Sequence, residues 1–386
     1  MDQVDIDDNT GLIYACMKGL KDVALELVKH PSECKMDQVN DEGNTALMWA
    51  CYNNMKEVAL ELLKYPDICK IDQVNTYGNT ALVYTCTKGL KEVALELLKY
   101  PDRCKIDRVN YRNETALIWA CCKGMKEVAL ELLKYPDRCK IDQVNYKNDT
   151  ALIWACCKDN TEVALELLKY PDRCKMDQVT DNGNTALILA CDTGMKEVAF
   201  ELLKYPDRCK IDQVNDEGDT ALILTCNTGM TEVALELLKY PDKCKIDQVD
   251  NDGETALIWA RNKGMKEVVN IINQYTNFVE TLKSTQSSTH FLRQYINVQL
   301  TERINQLPNR EELKQRQKEL SNIEEKIKKL SKNSECMMCC ENTTNNVFLQ
   351  KCKHMLCICS ECVTKIDKMC PLCKTSTDII TGCYVV

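Results

Sequence analysis

Histidine is scarce: the 386-residue chain has three, His30, His290 and His354. With so few imidazoles, and none set with a free cysteine and an acid, no constellation is present that could carry a covalent intermediate. Long apolar runs are also missing. No stretch approaches the roughly 18 consecutive apolar residues of a membrane span. The opening Met1-Asp2-Gln3-Val4-Asp5 has neither a basic n-region nor an apolar h-region. An intracellular, reducing, cytoplasmic setting without a membrane partner is the expectation. A glycine-rich phosphate loop is lacking as well. So is an excess of positive charge: 50 Lys and Arg against 58 Asp and Glu leave a formal charge of −8 and a pI near 5.3. That balance gives no global basic footprint, and no nucleic-acid partner is expected.

Cysteine, by contrast, is abundant, with 26 in the chain. Eight soft ligands crowd the end: Cys336, Cys339, Cys352, His354, Cys359, Cys362, Cys370 and Cys373. Three Cys-x-x-Cys pairs and one Cys-x-His supply what two tetrahedral zinc ions need. A segment this short has too few apolar residues for a core, so coordination must supply most of its folding free energy, and the two zinc ions are structural. A disulfide knot is the competing reading, and it requires an oxidising compartment.

In order and spacing this cluster resembles a RING finger over about residues 334–376. The resemblance implies that Cys336, Cys339, Cys359 and Cys362 hold one zinc, and Cys352, His354, Cys370 and Cys373 the other. Cys357 stands as the alternative to Cys359, because the family usually has two or three residues between its His and the next ligand. Cys340 and Cys383 are surplus thiols. The implied activity is ubiquitin transfer without a covalent intermediate, in which the finger holds a charged ubiquitin-conjugating enzyme near a substrate lysine and rate comes from proximity. Carried over position by position, the docking surface is Met338, Ile366, Pro371 and Lys374. The family often has Arg at the last of these, and Lys lacks its planar fork of donors.

The rest of the chain is a repeat. Thr-Ala-Leu recurs at Thr45, Thr80, Thr115, Thr150, Thr185, Thr220 and Thr255, with a degenerate copy at Thr10, so the period is 35 residues. Eight copies fill about residues 1–275, the pattern of a solenoid whose units bury their apolar faces on one another. Each threonine can cap a short helix, and Glu57-Val58-Ala59-Leu60-Glu61-Leu62-Leu63 and its equivalents give a second, ended by Pro66. Turn residues such as Gly89, Gly124, Gly194 and Gly229 separate the two. Gly or Asn stands two residues before the capping threonine of each of the seven full copies, as at Gly43 and Asn113, and a tight turn with positive φ is expected there.

Gly-x-Thr-x-Leu followed by Gly-x-x-x-Val resembles the ankyrin repeat. Ala replaces the family's usual Pro after Thr, and the tract Tyr-Pro-Asp-x-Cys-Lys-Ile-Asp-Gln-Val is two residues longer than usual. A mainly α fold follows: an ankyrin-repeat solenoid of about eight helix-turn-helix units (1–275), a helical linker (276–333), the zinc-bound finger (334–376) and a C-terminal tail (377–386). The near-identical copies, rich in Lys, Asn and Ile, are similar to the ankyrin families expanded in large DNA viruses of amoebae, which implies a viral protein in the host cytoplasm.

Ankyrin arrays bind proteins through turn tips and the adjoining end of the first helix, and here those positions vary while the frame repeats. The middle copies carry Tyr77, Tyr111, Arg112, Tyr146 and Lys147 at the tips and Lys88, Lys123 and Lys158 at the helix ends. Asp41, Glu42, Asp181, Asp216, Glu217 and Asp252 flank them. This aromatic and basic centre between acidic shoulders is the candidate surface for a protein substrate of unknown identity. Trp49, Trp119, Trp154 and Trp259 share one position and read as packing between units. The repeat cysteines read as small buried apolar groups.

Arg261, Asn270 and Asn273 suit a solubilising last copy. In the linker, Leu313, Leu320 and Ile327 are spaced by seven, as are Ile323 and Leu330, which fits either a short coiled coil that makes a homodimer through 313–330 or a single packed helix. The leading functional expectation is a RING-type ubiquitin ligase with an ankyrin substrate receptor. A non-catalytic adaptor, its finger folding or oligomerising the tail, is the alternative.

Overall fold

A computed structural model describes residues 4–31 and 33–284, and the backbone of three short strands beyond them. The eight zinc-ligand positions, Cys340, Cys357, Cys383, the docking positions Met338, Ile366, Pro371 and Lys374, and the coiled-coil segment 313–330 lie outside the described residues.

Among the described residues sixteen helices follow in pairs. The first helices of the copies are α1 (Gly11–Met17), α3 (Ala46–Tyr52), α5 (Ala81–Lys88), α7 (Ala116–Cys122), α9 (Ala151–Cys157), α11 (Ala186–Asp192), α13 (Ala221–Thr228) and α15 (Ala256–Asn262). The second helices are α2 (Lys21–Val28), α4 (Lys56–Leu62), α6 (Lys91–Leu98), α8 (Lys126–Leu133), α10 (Thr161–Leu168), α12 (Lys196–Leu203), α14 (Thr231–Leu237) and α16 (Lys266–Ser284). Two units emerge: Met1–Ala234 with Asp247–Trp259, and Leu235–Ile246 with Ala260 onward. In the first, the first helices from α1 to α13 pack on one another in one layer, and the second helices from α2 to α12 in another.

Each first helix begins where its sequence predicts. Thr115 Oγ1 accepts the Ile118 N–H at 3.2 Å, and the other capping threonines repeat this bond. All of them but Thr255 are buried, so the cap satisfies a donor that water cannot reach. Ala46, Ala50 and Cys51, with their equivalents, let neighbouring helices approach closely. The second helices stop earlier than the proline reading places them. Helix α4 ends at Leu62, and a Tyr-Pro-Asp turn follows rather than terminates it.

The expected positive φ appears at Gly43, Gly183 and Asn113. At Gly183 the requirement is double, because an added Cβ would come within 2.8 Å of the Asn215 Cα. A second left-handed position carries no sequence signal: Lys35, Lys70, Lys105, Lys140, Lys175, Lys210 and Lys245 all have positive φ.

Polar bonds stitch copy to copy. Asn75 Nδ2 donates to Asn44 Oδ1 at 2.9 Å, Asn110 Nδ2 to Asn79 Oδ1 at 3.0 Å and Asn215 Nδ2 to Asn184 Oδ1 at 3.1 Å. The same asparagines close their own turns, as when Asn75 Oδ1 accepts the Asn79 N–H at 2.9 Å. On the second-helix side, Arg138 reaches Asp102 Oδ1 and the Pro101 carbonyl, each at 2.8 Å. Arg103, Arg173 and Arg208 repeat that clamp. Lys56 pairs with Glu92 at 2.8 Å, Lys91 with Glu127 at 2.6 Å, and Lys126 with Glu162.

In the second unit α16 runs 19 residues, past the point where other second helices stop. It buries Val268, Ile272 and Val279, and Arg261 donates to Asn273 Oδ1 at 3.2 Å. Farther on, β1 (Val347–Leu349) pairs antiparallel with β2 (Met355–Leu356) on one edge and β3 (Ile379–Ile380) on the other.

Candidate protein-docking surface

The tips of copies three to five form one connected row. Tyr111 N–H donates to the Tyr77 carbonyl at 3.0 Å and Tyr146 N–H to the Arg112 carbonyl at 3.1 Å, so backbone bonds between neighbouring turns set the spacing of the side chains. Within that row the Tyr77 and Tyr111 rings lie 5.9 Å apart. The Arg112 guanidinium sits 5.1 Å from the Tyr111 ring centre and 5.5 Å from that of Tyr146, and the Lys147 ammonium is 5.6 Å from Tyr146. Each contact is a cation over a π face. Tyr77, Tyr111 and Tyr146 are 48%, 63% and 52% exposed, large values for aromatic groups held in place by their neighbours. All five predicted tip residues therefore come together.

Lys88, Lys123 and Lys158 form a second row at the far end of the first helices. A helix of seven or eight residues is about 10–12 Å long, and that length separates the rows. Lys88 lies 4.4 Å from the Tyr52 ring centre, Lys123 5.8 Å from Trp119 and Lys158 5.7 Å from Trp154.

Between the rows runs an aromatic strip that the packing reading of the tryptophans understates. Trp49, Tyr84, Trp119 and Trp154 are half-buried rather than enclosed. Tyr52 bridges Trp49 and Tyr84 edge-on, with ring centres 5.6 and 5.3 Å away. Trp154 bonds to Asp149, and Asn75 Nδ2 donates to the Tyr84 hydroxyl at 3.0 Å. The indole nitrogens of Trp49 and Trp119 are buried without a partner among the described residues. Residue type alone pointed to packing between units, and only the exposure shows the strip.

The flanks are electrostatically different. Asp219 occupies the ladder position held by Asn in copies two, three and six, and Asp250 stands where Asn donates elsewhere. Burial first, then the charges of Asp250, Glu217, Asp192 and Asp252, push the Asp219 carboxyl up to about 6. At the other flank a hydrogen bond to Asp8, with burial and the nearby Asp7 and Asp5 charges, raises Asp41. Burial raises Asp149 in the centre, opposed by bonds to Asn145 and Trp154 and by Lys147.

No disulfide joins the described repeat thiols, and fourteen of the sixteen are buried; Cys122 is intermediate and Cys157 exposed. Burial pushes Cys51 up to about 12, so the packed thiols stay protonated, as the apolar reading requires. Among the described residues no cluster of metal-binding groups occurs, and no helix is long and apolar enough to cross a membrane.

Residues 1–72, 66–145, 136–212 and 200–281 each match the family model "Ankyrin repeats (3 copies)". No curated protein matches the chain.

Proposed function

The chain belongs to the ankyrin-repeat family, and from that premise we propose that it recruits a protein substrate on its repeat array and presents it to a charged ubiquitin-conjugating enzyme held by its C-terminal finger. The repeats make it a scaffold for protein partners. The observation that carries the docking half is the connected row of Tyr77, Tyr111, Arg112, Tyr146 and Lys147, exposed yet mutually braced, with residue types favoured at interface centres.

The ligase half is supported by the donor chemistry of the last fifty residues. Seven cysteines and one histidine in interleaved pairs fit two zinc ions, which would be held by Cys336, Cys339, Cys359 and Cys362, and by Cys352, His354, Cys370 and Cys373. In chain order Cys352 and His354 fall between the paired strands β1 and β2, a place suited to a metal knuckle. Bound zinc supplies structure; Met338, Ile366, Pro371 and Lys374 then provide the surface for the conjugating enzyme. Many free thiols and the absence of a membrane-crossing helix among the described residues fit a reducing cytoplasm, that of the host if the chain is viral. Lys374 in place of Arg, with the unusual spacing after His354, favours the second reading, an adaptor whose finger only folds or oligomerises the tail.

Autoubiquitination with a panel of conjugating enzymes separates the two. The intact chain is expected to build a ladder that Cys370→Ala with Cys373→Ala abolishes. No ladder with any enzyme, with two zinc ions bound per chain, leaves the adaptor.

A further inference from the structure

Accepting that the array docks a protein, we infer that copies three to five recognise a short acidic segment of that partner, laid along the aromatic strip between the two cationic rows. The chain makes one choice differently in different copies. At the end of the first helix, copies two, six and seven place Asn53, Thr193 and Thr228. Asn53 Nδ2 donates to the Cys16 carbonyl of the preceding copy at 2.8 Å. Thr193 Oγ1 reaches the Cys156 carbonyl at 3.4 Å, and Thr228 Oγ1 the Cys191 carbonyl at 3.2 Å. A small polar residue here therefore ties one copy to the next. Copies three, four and five give up that tie for Lys88, Lys123 and Lys158, each standing over an aromatic ring.

In copies six and seven the aromatic position of the same helix changes with the residue at its end, while copy two keeps Trp49 beside Asn53. Tyr84, Trp119 and Trp154 stand in copies three to five, as Tyr14 and Trp259 accompany Lys18 and Lys263 in copies one and eight, and Leu189 and Leu224 take their place where threonine returns. Packing between copies needs no such pairing, since leucine fills the position equally well.

The five cations of this region are also left unneutralised. On the second helices Lys56, Lys91 and Lys126 pair with Glu92, Glu127 and Glu162, and Arg103 and Arg138 with Asp67 and Asp102. Lys88, Lys123, Lys158, Arg112 and Lys147 are exposed and have no carboxylate at ion-pair distance among the described residues. Open charge over exposed rings fits a ligand offering carboxylates and some apolar surface.

Length follows from the shoulders. Helices of neighbouring copies pack about 8–10 Å apart, so the three copies span about 20–30 Å, the reach of roughly six to nine extended residues. Beyond them Asp41 and Glu42 on one side, and Asp181, Asp192, Asp216 and Glu217 on the other, repel a polyanion that overruns the centre. A short acidic peptide fits between these limits, and a long nucleic-acid strand does not.

The test uses the full zinc-loaded chain and fluorescence anisotropy of a labelled Glu/Asp decapeptide containing one Leu. Lys88→Glu with Lys123→Glu and Lys158→Glu is expected to weaken binding by at least about tenfold, as three exposed pairs turned repulsive imply. Lys56→Glu with Lys91→Glu and Lys126→Glu makes the same charge change on the second helices and should change binding less than about threefold. The milder Lys→Gln triple at 88, 123 and 158 covers loss of folding, which circular dichroism reports. Equal losses in both triples, no peptide binding by the wild type, or tighter binding of a ten-nucleotide single strand would overturn the inference. An autoubiquitination ladder that survives any of these results leaves the ligase reading standing and removes only the partner chemistry.

Discussion

Asp219→Asn should stabilise the array, and by an amount that depends on pH. The ladder position normally presents an Asn carbonyl to an Asn amide from the next copy, as Asn184 does to Asn215. At the next rung Asp219 faces the charge of Asp250, and its carboxyl rises from 3.8 to about 6. One pKa unit is about 1.4 kcal/mol, so the shift corresponds to at most about 3 kcal/mol against the ionised fold. The group is only half-buried, and solvent screening reduces this to about 1–1.5 kcal/mol.

Because the folded-state value lies above the unfolded one, the fold holds the proton more tightly. Wild-type stability therefore falls as pH rises from about 4 to about 6, and the penalty is complete above that. Asparagine removes the titration and can donate to Asp250. Urea unfolding followed by circular dichroism should show the variant more stable at pH 7.5, with the gain shrinking to about 60% of that at pH 4.5. A gain equal at both values, or a loss at pH 7.5, would refute the carboxylate argument.

Thr115→Ala removes a buried cap from α7 and should cost about 1 kcal/mol in the same assay, while Thr115→Ser should keep most of the stability. Lys105, held at φ 54, gains from glycine; Lys105→Gly should raise the urea midpoint by about 0.5 kcal/mol equivalent, and Lys105→Val should lower it. Maleimide labelling of the native chain with peptide mapping should mark Cys157 first among the repeat cysteines and Cys122 next. Cys51 and Cys86 should react only on unfolding.

Features whose chemistry is local were legible from sequence. A threonine before an apolar helix can only cap it usefully, and Gly or Asn before that threonine marks the turn, so both appear where expected. The left-handed lysines were not legible, because Lys has no preference for that conformation and the surrounding turn imposes it. The asparagine ladder was hidden for another reason: each rung joins residues 31 positions apart, and no single copy contains it. Comparing copies located the tip residues, since variation on a fixed frame separates surface from packing. The same comparison could not show that the tryptophans are also partly exposed, because a position that accepts Trp, Tyr and Leu reads as packing until exposure is seen.

The unfavourable rung and the basic centre have one explanation. Neighbouring copies stabilise each other through an almost invariant frame, so a single rung can be weakened without unfolding the stack. Asn would be the stable choice at 219 and 250, and copies two and three use it. Copies seven and eight instead place Asp219, Asp250 and Asp252 together, and burial with those charges raises the Asp219 carboxyl to about 6. Acid at that end costs stability and does nothing for packing. It does end the basic strip abruptly, which confines an acidic ligand to copies three to five. Restoring Asn at 219 and 250 should therefore stabilise the fold and at the same time lengthen the acidic peptide that the groove accepts.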